Sequence, residues 1–259
     1  QLVQALRSKG YELSDVKHVL LTHIHFDHAG GTWALCEAGA QAYVHPAGYK
    51  HLLAPEKLYN SARQIYGEQM DELWGDMRPI AEDRLTAIED EDQLTLLGHK
   101  LKAWHTPGHA KHHIAWQLGK EVFSGDVAGV RIQLDFAQPP CPPPDIDLEA
   151  WEQSIDRVLA LQPERLYLTH AQPVDDPVAH MAQLRERLWK WANFVKAEMD
   201  NGLSANEIEP RLKAMAHAEL REAGADEGQI ACYEWANPAF MSVGGLMRYW
   251  KKRAEREAG

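Results

Sequence analysis

The stretch Val16-Lys17-His18-Val19-Leu20-Leu21-Thr22-His23-Ile24-His25-Phe26-Asp27-His28-Ala29-Gly30 decides how this chain is read. Its first half, residues 16–22, is an apolar, β-branched run of the length a buried strand needs. Its second half places three histidines and an aspartate within six positions. In an extended chain, residues two apart share a face, so His23 and His25 can converge on one metal ion. A turn after Phe26 then redirects Asp27 and His28 towards a second position. At the chain's own frequencies of histidine and aspartate, this pattern is expected by chance far less than once, which leaves a solvated histidine-rich loop as the bland alternative.

Working outward, residues 29–38 read as helix and 42–45 as a short strand stopped by Pro46. Residues 47–80 read as a helical excursion whose Tyr59, Tyr66 and Trp74 either pack or line a cleft. Three extended runs, 85–88, 93–97 and 100–105, read as a β-meander, followed by strands over 113–118 and 121–124. Residues 145–161 form a helix, 165–169 the last strand, and almost everything after Pro177 is helical. There Leu184, Leu188, Trp191 and Val195 make one apolar stripe, either core or a dimer face. Strands before 125 and helices after 145 indicate α+β layering.

Three more strand ends carry ligand-type side chains: Thr106-Pro107-Gly108-His109 with His112 and His113 behind it, Ser124-Gly125-Asp126, and Leu168-Thr169-His170. Imidazole and carboxylate without thiolate suit zinc, iron or manganese better than calcium. His112 reads as an exposed loop histidine. His18, His45, His51, His99, His105, His180 and His217 lack evident convergent partners and read as surface or core. Arg131 either meets an acidic substrate or lies at the surface. The proline run 139–144 either stiffens a loop beside the ligands or merely connects.

Composition narrows the classes. The chain has 259 residues, 45% hydrophobic and 25% charged, as in an ordinary globular protein. No apolar run approaches the roughly 20 residues that span a bilayer, so no membrane partner is expected. Lys+Arg 27 against Asp+Glu 38 gives a net charge of −11, which disfavours nucleic acid. Cys36, Cys141 and Cys232 are too few and scattered for a disulfide framework. They point to a reducing compartment, and the first ten residues lack the apolar segment of a signal peptide, so the cytoplasm is the expected location.

The order HxHxDH, TPGH, SGD and a late TH resembles the metallo-β-lactamase fold superfamily of metallo-hydrolases, over about residues 16–170. The resemblance implies an αββα sandwich of class α+β. It also implies strands ahead of the first histidine motif, and the 22 residues before His23 hold no counterpart. The expectation is therefore a fold lacking its first N-terminal strands, with a catalytic core over 1–170 and a C-terminal helical region over 171–259. Carried over residue by residue, the pattern gives His23, His25 and His109 to one metal ion, Asp27, His28 and His170 to a second, and Asp126 to both. Two divalent cations, most readily Zn2+ with iron or manganese as alternatives, would activate a bridging hydroxide, with Asp27 also catalytic by orienting it.

That set implies a dinuclear hydrolase of an ester-like bond in a small molecule: a lactone, a thioester or a β-lactam. The alternative is a mononuclear iron oxidoreductase resembling persulfide dioxygenases. His113 stands where glyoxalase II-like relatives carry a second histidine, with a supporting role beside the ligands. The tail Asn237-Pro238-Ala239-Phe240-Met241-Ser242-Val243-Gly244-Gly245-Leu246-Met247-Arg248-Tyr249-Trp250 resembles general hydrolases of the superfamily, and a homodimer through the C-terminal helices is a further expectation.

Overall fold

The computed structural model describes residues 2–170 and 172–258, with the side chains of residues 64–66 excepted. The side chain of Tyr66, named above as a cleft candidate, thus lies outside the described residues. The chain divides into two compact units, Gln1–His105 and Thr106–Gly259.

In the first unit, α1 (Leu2–Ser8) precedes β1 (His18–Leu20), α2 (Phe26–Ala29), α3 (Thr32–Glu37) and β2 (Gln41–Val44). Then come α4 (Pro46–Leu53), α5 (Glu56–Tyr66), α6 (Met70–Leu73), β3 (Leu85–Ala87), β4 (Gln93–Leu96) and β5 (His99–His105). β1, β2 and β3 pair in parallel, and β4 and β5 form an antiparallel hairpin. Parallel neighbours require crossovers, and the histidine-rich turn opens the first of them, beyond the carboxyl end of β1. The expected strand over 16–22 is shorter than its apolar run, because pairing with β2 ends at Leu20↔Tyr43. The expected helix over 29–38 divides into α2 and α3 at Gly30-Gly31.

The core of this unit gathers Leu21, Ile24, Ala29, Cys36, Val44, Leu52 and Leu85. In the helical excursion, half-buried Tyr59 and Trp74 lie against Phe26, with ring centroids 6.2 and 6.0 Å away. Phe26 sits between His25 and Asp27, so those helices back the histidine turn.

The second unit holds β6 (Ile114–Leu118), β7 (Glu121–Phe123), α7 (Leu148–Ala160) and β8 (Arg165–Tyr167). It ends in α8 (Pro177–Asp200), α9 (Ala205–Glu222), α10 (Glu227–Ala236) and α11 (Ala239–Ala258). β6 pairs antiparallel with β7, which pairs parallel with β8. Asp147 caps α7 by accepting from the Ala150 amide at 3.1 Å, and Asp176 caps α8 in the same way. Leu184, Leu188, Trp191 and Val195 are all buried, so the stripe on α8 is core.

Candidate metal centre

Strand register explains the donors of the second unit. Phe123 pairs with Tyr167 in the parallel β7–β8 ladder, and Asp126 and His170 each follow their strand partner by three residues. Because parallel strands end at the same sheet edge, both side chains arrive together. β6 runs the other way, with Trp116 opposite Phe123, so the segment leading into it, which carries His109 and His113, reaches that edge as well.

The result is a buried carboxylate between two imidazoles. Asp126 Oδ2 faces His109 Nε2 at 3.5 Å, and Asp126 Oδ1 faces His170 Nε2 at 3.7 Å. His109 Nδ1 is 2.9 Å from the Pro140 carbonyl, which can only accept, so Nδ1 carries the proton. In the neutral ring, Nε2 is then a lone pair directed at a carboxylate. Two acceptors facing each other are reconciled by a proton on Nε2 or by a metal cation between them, and this donor set, imidazole nitrogen with carboxylate oxygen and no thiolate, fits zinc, iron or manganese.

Asp126 is held from several directions. Its backbone N–H donates to His113 Nε2 at 3.2 Å, so His113 Nδ1–H donates in turn to Thr106 Oγ1 at 2.8 Å. His113 is thereby fixed as a support of Asp126, with both ring nitrogens engaged. Trp151 Nε1 donates to the Val127 carbonyl at 2.8 Å, and His180 Nε2 donates to the Ala128 carbonyl at 2.7 Å. Burial holds the His180 imidazole below its ordinary pKa, in keeping with a neutral ring.

In the first unit, His23 is fully buried and its ring centroid lies 4.5 Å from that of His25 and 3.9 Å from that of His28. Thr22 Oγ1 lies 3.1 Å from His23 Nδ1. Asp27 is exposed, with Oδ2 3.1 Å from His28 Nε2. The four donors of this turn are thus clustered, as their spacing requires.

Several readings of single residues change. His112 is buried, not an exposed loop histidine. His45 and His105 do converge, stacking at 4.2 Å with an interplanar angle of 12°. Burial, reinforced by the neighbouring His105, lowers the pKa of His45 to about 4. His180 is core. Arg131 turns onto its own loop, with Nε donating to the Leu134 carbonyl and the guanidinium 3.5 Å from Asp135. Trp151 and the Pro140 carbonyl escaped the sequence reading. A backbone acceptor leaves no signature in residue identity, though two adjacent prolines with no N–H of their own were the available signal.

The model of the metallo-beta-lactamase superfamily matches residues 1–170. The chain belongs to this superfamily. Its fold is the superfamily's metallo-hydrolase fold, with two sheets, mixed helix and strand, and a C-terminal helical region. Members of the superfamily are generally metal-dependent hydrolases. The chain is 27% identical over 200 residues to the metallo-beta-lactamase fold-containing protein ST1585 of Sulfurisphaera tokodaii, covering 76% of this chain and 75% of the relative. The solved structure of ST1585 from Sulfolobus tokodaii matches with a TM-score of 0.60 at 26% identity, covering 67% of this chain and 68% of that one. A metallo-beta-lactamase family protein of Thermus thermophilus, TTHA1429, matches with a TM-score of 0.72 at 20% identity, over 98% of this chain and 80% of the other, which shows the fold alone. Among the described residues, no helix is long and apolar enough to cross a membrane.

Proposed function

We propose that the two donor sets serve one dinuclear centre and that the protein hydrolyses an ester-like bond of a small molecule: a lactone, a thioester or a β-lactam. In this reading, residues 1–170 are the catalytic core and 171–259 its helical support. His23, His25 and His109 take one ion, Asp27, His28 and His170 the other, and Asp126 takes both; each trio offers the kind of donors a divalent ion accepts. Zinc is the preferred metal and the cytoplasm the preferred compartment.

The observation that carries this reading is Asp126, whose two carboxylate oxygens face two different imidazoles. A carboxylate serving one ion has no need of that arrangement, whereas one shared between two cations does. Two divalent cations would supply a water whose pKa falls from about 15.7 to about 7, together with polarisation of the substrate's carbonyl oxygen. The chain's own residues do the rest. Pro140 holds the proton on His109 Nδ1 and leaves Nε2 as a donor pair. His113 fixes the Asp126 backbone, and Asp27, the exposed member of the set, orients the attacking water.

The test is to load metal-free protein with zinc, measure the metal content, and screen the three substrate classes. Two zinc ions per chain with turnover of at least one class is the expected result. Two bound ions without turnover of any class would remove the substrate assignment, and one ion or none would remove the dinuclear centre.

A further inference from the structure

The proline-rich segment between Asp126 and α7 is held by the C-terminal helices through a short polar chain. Gln138, Pro139, Pro140 and Cys141 are all buried. Two successive prolines bring carbonyls but no N–H groups, so this buried strap needs donors from elsewhere. Asn237, between α10 and α11, provides one: its Nδ2 donates to the Pro139 carbonyl at 3.2 Å and reaches Gln138 Oε1 at 3.4 Å. Ser242 Oγ donates to Asn237 Oδ1 at 3.3 Å and accepts the Cys141 N–H at 3.4 Å. Gly245 lets α11 approach the strap, since a Cβ there would lie 2.0 Å from the Cys141 carbonyl oxygen. The Pro140 carbonyl, between these anchored neighbours, takes its donor from His109 Nδ1.

We infer that Asn237, Ser242 and Gly245 are positioning residues for His109, acting through the strap and fixing which ring nitrogen is free to bind metal. This rests on the reading of His109 as a ligand. A rigid Pro140 carbonyl keeps the proton on Nδ1 and the lone pair on Nε2, towards Asp126. If the strap drifts, the ring is released to the other tautomer and orientation, and the ligand must be reorganised on binding.

The experiment compares wild type with Asn237→Asp, Ser242→Ala and Gly245→Ala. The first readout is the His109 tautomer in metal-free protein, from long-range proton–nitrogen NMR correlations. The second is the zinc dissociation constant by chelator competition. Wild type is expected to keep the proton on Nδ1 in a single ring environment. The variants are expected to show two tautomers and an approximately tenfold weaker zinc affinity, the lower end of the range for supporting residues around a metal.

Trp191→Phe, which removes the Nε1–H that reaches Glu219 at 3.3 Å elsewhere in the same helical layer, should lower stability while leaving the tautomer single. Ser242→Ala removes one hydroxyl and keeps the backbone contact, so it remains informative if the other two fail to fold. Folded variants with a single tautomer and wild-type zinc affinity would overturn the inference, as would a shifted tautomer in Trp191→Phe. If the tautomer shifts as expected but wild type binds no zinc, the positioning role stands and the metal centre falls.

Discussion

The two donor sets are built in opposite ways. In the first unit, four ligand-type side chains lie within six consecutive residues, and a strand end with one helical turn is enough to cluster them. In the second, His109, Asp126 and His170 span more than sixty residues. They meet through strand register and are held by Pro140, His113, Trp151 and His180. A local motif carries its geometry in its spacing, whereas a dispersed one depends on tertiary hydrogen bonds. The second set should therefore be the more fragile.

The sharpest way to break that contrast is at the carboxylates. Asp126→Asn should cost metal affinity more than the approximately 10–100-fold typical of supporting residues, because it removes charge facing two imidazoles. Asp27→Asn, at an exposed carboxylate beside His28, should cost less. Titration of both variants with zinc measures the difference, and equal losses would contradict it.

Backbone substitutions come next. Gly108 has φ +132°, and a Cβ there would lie 2.4 Å from the Trp151 Cα, so Gly108→Ala should destabilise by more than about 4 kcal/mol. Gly31, beside the histidine turn, has an ordinary φ of −90° and its Cβ would only touch Leu2 at 3.6 Å. Gly31→Ala should therefore stay within about 0.5 kcal/mol of wild type. Urea unfolding of the two variants decides, and a severe loss in Gly31→Ala would show that the local turn is as constrained as the dispersed site.

Smaller still is Trp151→Phe, which deletes one buried N–H donor to the Val127 carbonyl and keeps most of the ring. A loss of about 1–3 kcal/mol is expected, with weaker zinc binding as the Asp126 turn loosens. Unchanged zinc affinity would detach Trp151 from the site.

The smallest effect belongs to pH. His45 in the folded protein has a pKa of about 4, below the 6.5 of an unperturbed imidazole. Between those values the unfolded chain takes up a proton that the folded chain refuses. The stability contributed by the neutral ring is thus present above about pH 6.5 and is lost as pH falls towards about 4. In metal-free protein, the urea midpoint of wild type should fall further between pH 7 and pH 5 than that of His45→Gln. Equal falls would exclude the residue as a source of the pH dependence.

Much of the site was legible because metal chemistry restricts residue type. Histidine and aspartate at strand ends are recognisable without knowing what surrounds them, and Thr-Pro-Gly-His and Ser-Gly-Asp each follow an extended run. The roles of His45, His105 and Trp151 were not legible, since each depends on a neighbour remote in sequence. That Tyr59 and Trp74 pack against Phe26 was not legible either, because Phe26 lies more than thirty residues away in sequence.

By itself the sequence determined the superfamily, the strand-end placement of the ligand-type residues, and the clustering of the histidine turn, because these follow from residue identity and a period of two along a strand. Tertiary structure decided which nitrogen of His109 is protonated, that His113 ties the Asp126 backbone to Thr106 through its two ring nitrogens, and that the proline strap is anchored by Asn237 and Ser242. The reason is physical: a hydrogen bond to a distant backbone carbonyl fixes proton position and ring orientation, and no spacing along the chain encodes it.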